Sequence, residues 1–285
     1  MDDGSTDNSK SIIELYRGHP KISHICYNRL NGGTVFKQWK KGIDLAKGDL
    51  IWIAESDDWA DSHFLEILVS VMQQDDKTAL AYAQSYDVDE AGQIIESRIN
   101  WTGDFEINTW QKSFLIPGKE FMGYLFYKNV IPNVSACIMR KEYIVKIFEN
   151  EKSILTYKMC GDWFTWLLLA DINSVKIAFS EKHLNYFRIL RHATRVHNTP
   201  AKLLNRVLEE AAIFNSGRFT LSPELLRQKN NYLRQWWFKI FSAQRFSVSF
   251  FRLAPLMHTY KMYMLGQYIL YRASAIIRKA KSAIF

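Results

Sequence analysis

Leu50-Ile51-Trp52-Ile53-Ala54 is an unbroken apolar run bounded by polar residues, and it delivers Glu55-Ser56-Asp57-Asp58 at its carboxyl end. The run is too short for an ordinary helix and lacks the polar alternation of a strand with one wet face. It predicts a strand buried on both sides, the kind found in sheets covered by helices. Open α/β sheets bind their ligands just beyond such strand ends, so the acidic group marks a candidate site as well as a fold.

Residues 1–199 repeat the same alternation. After the acidic turn Asp2-Asp3-Gly4-Ser5-Thr6-Asp7, residues 9–17 have helical apolar spacing. A short strand is expected over 21–27, and a helix over 34–47 stopped by Gly48. A further helix follows over 62–74. Strands at 78–88 and 93–97 flank the turn Asp89-Glu90-Ala91-Gly92 as a hairpin. Helices are expected over 117–128, 142–149 and 162–170, and strands over 135–139, 175–179 and 184–187. This order predicts an α/β domain with a mostly parallel sheet flanked by helices. From Pro200 the pattern is helical to the end, which divides the chain into 1–199 and 200–285.

Charge follows the same division. Residues 200–285 hold 14 Lys+Arg against 3 Asp+Glu, whereas the preceding residues are net acidic within a total of +8. Residues 232–246 and 260–281 mix aromatic, Leu, Arg and Lys side chains with almost no acid. Three uses fit such a segment: the headgroup region of an anionic membrane, packing on the domain or on a second copy, and nucleic acid. No nucleic-acid motif accompanies it, so nucleic acid is not an expected partner. With 48% hydrophobic and 23% charged residues the chain can bury one large core and is not a disordered type. Cys26, Cys137 and Cys160 lack metal spacing and read as reduced thiols. No basic-then-apolar leader is present, and no apolar stretch reaches the ~18 residues that span a bilayer. The expected location is cytoplasmic, with the inner face of the membrane open to the basic region. Asn100-Trp101-Thr102 and Asn133-Val134-Ser135 match the glycosylation pattern by chance on this reading.

Asp57 and Asp58 side by side repel one another unless a cation or hydroxyl partner offsets the cost. A divalent Mg²⁺ or Mn²⁺ shared with diphosphate oxygens suits them. The competing use is to cap the helix that begins near Asp61. Asp162 stands at the mouth of an apolar helix, where the dipole keeps a carboxylate ionised. That geometry is what an ordinary N-cap shows, and taken alone it reads as one, although it also suits a general base. Arg188, Arg191, His192, Arg195 and His197 form a basic stretch open to surface or phosphate-binding use.

Taken in order, DDGSTDNS, N-x-x-N-G-G, K-x-W-x-x-G-I-D-L-A-K-G-D, I-W-I-A-E-S-D-D-W and G-D-W-F-T-W resemble the family 2 glycosyltransferases, over residues 2–198. These are inverting sugar transferases of the GT-A fold. The resemblance implies a nucleotide-diphosphate sugar donor, a UDP-sugar in the first instance. It implies a hydroxyl of a saccharide or lipid-linked acceptor, in cell-surface polysaccharide synthesis. It makes Asp3 the contact to the uracil ring, Asp57 the ribose holder, Asp58 the metal ligand and Asp162 the general base. His192 is a further candidate on the metal or diphosphate. Where the family has Ala-Arg-Asn this chain has Gln38-Trp39-Lys40, which leaves Lys37, Lys40 or Lys41 to supply a phosphate contact, with Lys37 taken as the nucleotide-binding candidate. In the family, two strands and a helix precede the acidic turn. The expectation is therefore an N-terminally incomplete domain, and its alternative a non-catalytic binding fragment.

Overall fold

The computed structural model describes residues 1–105, 109–131, 133–190, 200–220, 222–225 and 227–229, with residues 269 and 273. The chain divides into two compact units, Met1–Val196 and His197–Phe285. In the first, α1 (Ser9–Glu14) and α2 (Val35–Leu45) precede β1 (Leu50–Trp52) and β2 (Trp59–Ala60). Next come α3 (Phe64–Gln74), β3 (Thr78–Val88), β4 (Ile94–Ser97), β5 (Phe114–Pro117) and α4 (Gly118–Tyr127). The unit continues through β6 (Cys137–Arg140), α5 (Lys141–Asn150), α6 (Gly161–Asp171) and β7 (Lys176–Arg188). In the second unit α7 (Pro200–Asn215) carries the buried Glu210, whose Oε1 accepts from Arg206 Nε at 2.7 Å.

The helix-flanked α/β sheet is the expected one, but strand direction departs from the expectation. The order is β1-β6-β3-β7-β2, with β4 on β3 and β5 on β7. Only the long β3–β7 pair runs parallel among these strands, and the others are antiparallel. Alternation of strand and helix fixes the layers, not the side from which each strand enters. Here β6 enters antiparallel between β1 and β3, giving a mixed sheet.

Other elements differ in detail for local reasons. The apolar run 50–54 becomes the three-residue edge strand β1, with Ile51 5% and Trp52 37% exposed, because only β6 pairs with it. The strand expected over 21–27 reduces to a parallel bridge between Asp2 and Tyr27. The two strands expected over 175–187 are one, since pairing with β3 carries β7 through the exposed Glu181 and Lys182 by way of bulges. Gly48 does not close α2, which ends with Ala46 N donating to Gly42 O at 2.9 Å. The hairpin between β3 and β4 forms as expected, with Asp89 Oδ1 accepting from Ala91 N and Gln93 N.

The core explains the helices. Thr34 caps α2 by accepting from Phe36 N, and Phe36, Trp39 and Ile43 repeat at helical spacing to bury one face. Helix α6 is apolar all round and buried from Trp163 to Ala170, as befits a helix enclosed by other elements. Two glycines allow its neighbours in. A Cβ on Gly118 would collide with the Ala170 carbonyl, and one on Gly161 would lie 2.6 Å from the Phe36 ring.

Candidate active site

Beyond the end of β1 the chain is pinned rather than free. Trp52 Nε1 donates to Ser135 O at 2.8 Å, and Glu55 N donates to Ser135 Oγ at 3.1 Å. This tether brings Glu55, Asp57 and Asp58 together, with one carboxylate oxygen of each within 4.8 Å of the others. The capping alternative for Asp57 and Asp58 does not hold. Helix α3 starts only at Phe64, and Asp61 turns the chain there by accepting from His63 N at 2.8 Å.

All three are half-buried, and Asp58 is held by hydrogen bonds on both oxygens. Its Oδ1 accepts from the Arg188 backbone N at 3.0 Å and its Oδ2 from Asn133 Nδ2 at 3.3 Å. Behind it lies a buried polar set. Asn133 Nδ2 also donates to Asn185 Oδ1 at 2.7 Å, and Ser85 Oγ donates to that same oxygen at 3.1 Å. Asn185 in turn reaches the Trp59 carbonyl at 3.4 Å. Burial pushes the Asp58 carboxyl above its ordinary value. The hydrogen bonds from Arg188, Ser135 and Asn133 pull the other way, and the Asp57 charge adds to the rise. Three hard oxygen donors this close, one of them desolvated, fit a divalent cation of the Mg²⁺ or Mn²⁺ type.

Asp162 lies in the first turn of α6, while the cap position is Cys160, which makes no side-chain cap bond. Asp162 is thus two residues past the N-cap position rather than at it. Asp162 Oδ2 accepts from Asn129 Nδ2 at 3.0 Å. The Asp162 charge also reaches the buried Cys137 thiol, which burial first and this charge second hold well above the ordinary thiol range. Gly161 stands before it because the Phe36 ring leaves no room for a side chain.

Asp3 occupies the turn beside α2. Its Oδ1 accepts from Asn28 Nδ2 at 2.7 Å, Gly32 N at 2.9 Å and Gln38 Nε2 at 2.7 Å. These bonds join the acidic turn, the Asn-Gly-Gly loop and α2 into one braced corner. Gln38, which stands in the stretch where the family usually has Ala-Arg-Asn, is one of the braces. Lys37 is exposed and donates to Gly32 O at 2.9 Å, on the same loop. His192, with Arg191, Arg195 and His197, lies outside the described residues.

Residues that sequence reasoning did not single out take part here, among them Glu55, Asn129, Asn133 and Asn185. Glu55 could have been read from its place beside the aspartates. The asparagines come from remote elements, and one of them matched a glycosylation pattern. With Asn133 4% exposed and its amide bonded inward, the match is spurious.

The model of glycosyl transferase family 2 matches residues 1–148. Chondroitin synthase of Escherichia coli is 28% identical over 101 residues, 35% of this chain and 14% of that protein. Glycosyltransferase GlyG of Streptococcus pneumoniae is 31% identical over 91 residues, 32% of this chain and 30% of that protein. The matched stretches thus span under a third of these relatives. Among solved structures, S. aureus TarS 1-349 in complex with UDP superposes with a TM-score of 0.54 at 15% identity, covering 85% of this chain and 62% of that one. TarS in complex with UDP-GlcNAc gives the same score. Identity this low establishes a shared fold alone. The family match covers more than half of the sequence and includes the acidic turn, the Asn-Gly-Gly loop and the carboxylates after β1, so the chain belongs to glycosyl transferase family 2.

Proposed function

We propose that this protein transfers a sugar, with inversion, from a nucleotide-diphosphate donor to a hydroxyl of a saccharide or lipid-linked acceptor, as a step of polysaccharide synthesis. The observation that carries the reading is the carboxylate group after β1, Glu55, Asp57 and Asp58, gathered at a strand end with Asp58 held by a buried polar network. UDP is the nucleotide supported best, because the TarS structures of the same fold hold UDP and UDP-GlcNAc.

In this reading Glu55 and Asp58 hold a divalent cation, and Asp57 holds the donor ribose. The cation supplies charge neutralisation at the leaving diphosphate. Asp3 receives a base N–H on the oxygen that does not brace the Asn-Gly-Gly loop, and Lys37 contributes positive charge nearby. Asp162 takes the acceptor hydroxyl proton as the new glycosidic bond forms. Its place in the first turn of α6 favours the ionised carboxylate that this requires. His192 is a second-rank candidate for the cation or diphosphate. The catalytic part is residues 1–199, and the excess of 14 Lys+Arg over 3 Asp+Glu in 200–285 suits an anionic membrane surface beside it. No helix among the described residues is long and apolar enough to cross a membrane.

The test is UDP release from a panel of UDP-sugars with Mn²⁺, with and without saccharide acceptors, followed by the anomeric configuration of any product. The expected result is release that an acceptor stimulates, with an inverted linkage. A retained configuration, or release indifferent to every residue named above, contradicts the proposal.

A further inference from the structure

The segment Asn129-Val130-Ile131-Pro132-Asn133 enters none of the steps just described, yet both principal carboxylates are hydrogen bonded to it. Asn129 Nδ2 donates to Asp162 Oδ2 at 3.0 Å, and Asn133 Nδ2 donates to Asp58 Oδ2 at 3.3 Å. Neither amide is free to turn. Asn129 Oδ1 accepts from Ile131 N at 3.3 Å, which keeps its nitrogen end toward Asp162. Asn133 spends its second amide proton on Asn185 Oδ1 at 2.7 Å, and its own Oδ1 lies 3.4 Å from Ser85 Oγ.

Each asparagine is also held through its own backbone carbonyl. Trp101 Nε1 donates to Asn129 O at 2.7 Å, and Cys137 Sγ donates to Asn133 O at 3.5 Å. Val130 and Ile131, the two residues after Asn129, are each 1% exposed and set in the core. Asn129 and Asn133 are themselves 8% and 4% exposed. Buried amides are retained where they have partners to satisfy, and here those partners include two carboxylates on different elements. Hydrogen bonds to charged groups are the stronger kind, and they also fix direction.

We infer that Asn129 and Asn133 act as a pair of positioning residues, one for each carboxylate. Asn129 orients the base Asp162, and Asn133 orients the cation-binding Asp58. Asn129 and Asn133 are positioning residues that act through the carboxylates they hold. The inference rests on the roles proposed above for Asp162 and Asp58. It has a consequence that a general packing role lacks: the two residues affect different quantities.

The experiment uses the 285-residue chain, with UDP release from UDP-GlcNAc for kcat and calorimetry of UDP with Mn²⁺ for affinity. Asn129→Leu keeps bulk and removes the donor. It is expected to lower kcat by about 10–100-fold, the scale of one hydrogen bond to a charged group, with Mn²⁺-dependent UDP affinity unchanged. Asn133→Leu is expected to lower that affinity by about 10-fold. In an Asp162→Asn background, Asn129→Leu should cost no more than about twofold further, because its target has already been disabled. An equal fold-loss in both backgrounds overturns the inference while leaving Asp162 as the base. A parallel drop of kcat and affinity in both single variants overturns it as a general packing defect. An Asp162→Asn chain with unchanged kcat removes the base assignment itself, and the role of Asn129 with it.

Discussion

Asp58 shows how local surroundings give a common residue a specific use. Burial and the charge of Asp57 work against its ionised form, while Arg188 N, Ser135 and Asn133 support it. A carboxyl under such opposing influences gains more from a nearby cation than an exposed one does. Asp162 has a different setting, in the first turn of a buried helix with an amide on Oδ2. Substituting Asp162→Asn keeps the shape and removes the proton acceptor. Turnover is expected to fall by at least about 10²-fold, the usual scale for loss of a general base, with UDP affinity nearly unchanged. Steady-state kinetics beside UDP calorimetry read the two quantities separately, and near-normal turnover would remove Asp162 from the chemistry.

At the scale of elements, α6 meets α2 where Gly161 faces Phe36. Gly161→Ala improves helix propensity by up to about 1 kcal/mol. It also places a methyl group 2.6 Å from a ring that is 3% exposed, and forced overpacking of that kind costs about 1–3 kcal/mol. Overpacking outweighs propensity, so a lower Tm is expected in thermal unfolding; a raised Tm would show that the helices can separate without cost. The helices were legible in the sequence because their apolar spacing is local: 35–45, 64–74 and 161–171 fall within a few residues of expectation. Strand direction was not legible, because the entry of β6 between β1 and β3 depends on chain segments far apart. The same limit hid half of the candidate site. Asp57, Asp58 and Asp162 stand out by motif, whereas Asn129, Asn133 and Asn185 matter only through contacts across the fold.

At the scale of the whole molecule, an acidic first part is followed by a basic remainder. If residues 200–285 meet an anionic bilayer, sedimentation with phosphatidylserine vesicles should fall as salt is added, since screening weakens the attraction. A deletion of 200–285 that sediments as well as the intact chain would contradict this. The account as a whole turns on the carboxylate group after β1 and the cation it is proposed to hold for a nucleotide diphosphate. Calorimetry of UDP against the folded chain, with Mn²⁺ and then with chelator, tests this most directly, repeated on Asp58→Ala. The account predicts binding that requires the cation in the parent chain and no cation dependence in the variant, whereas equal UDP affinity with Mn²⁺ and with chelator in the parent would contradict it.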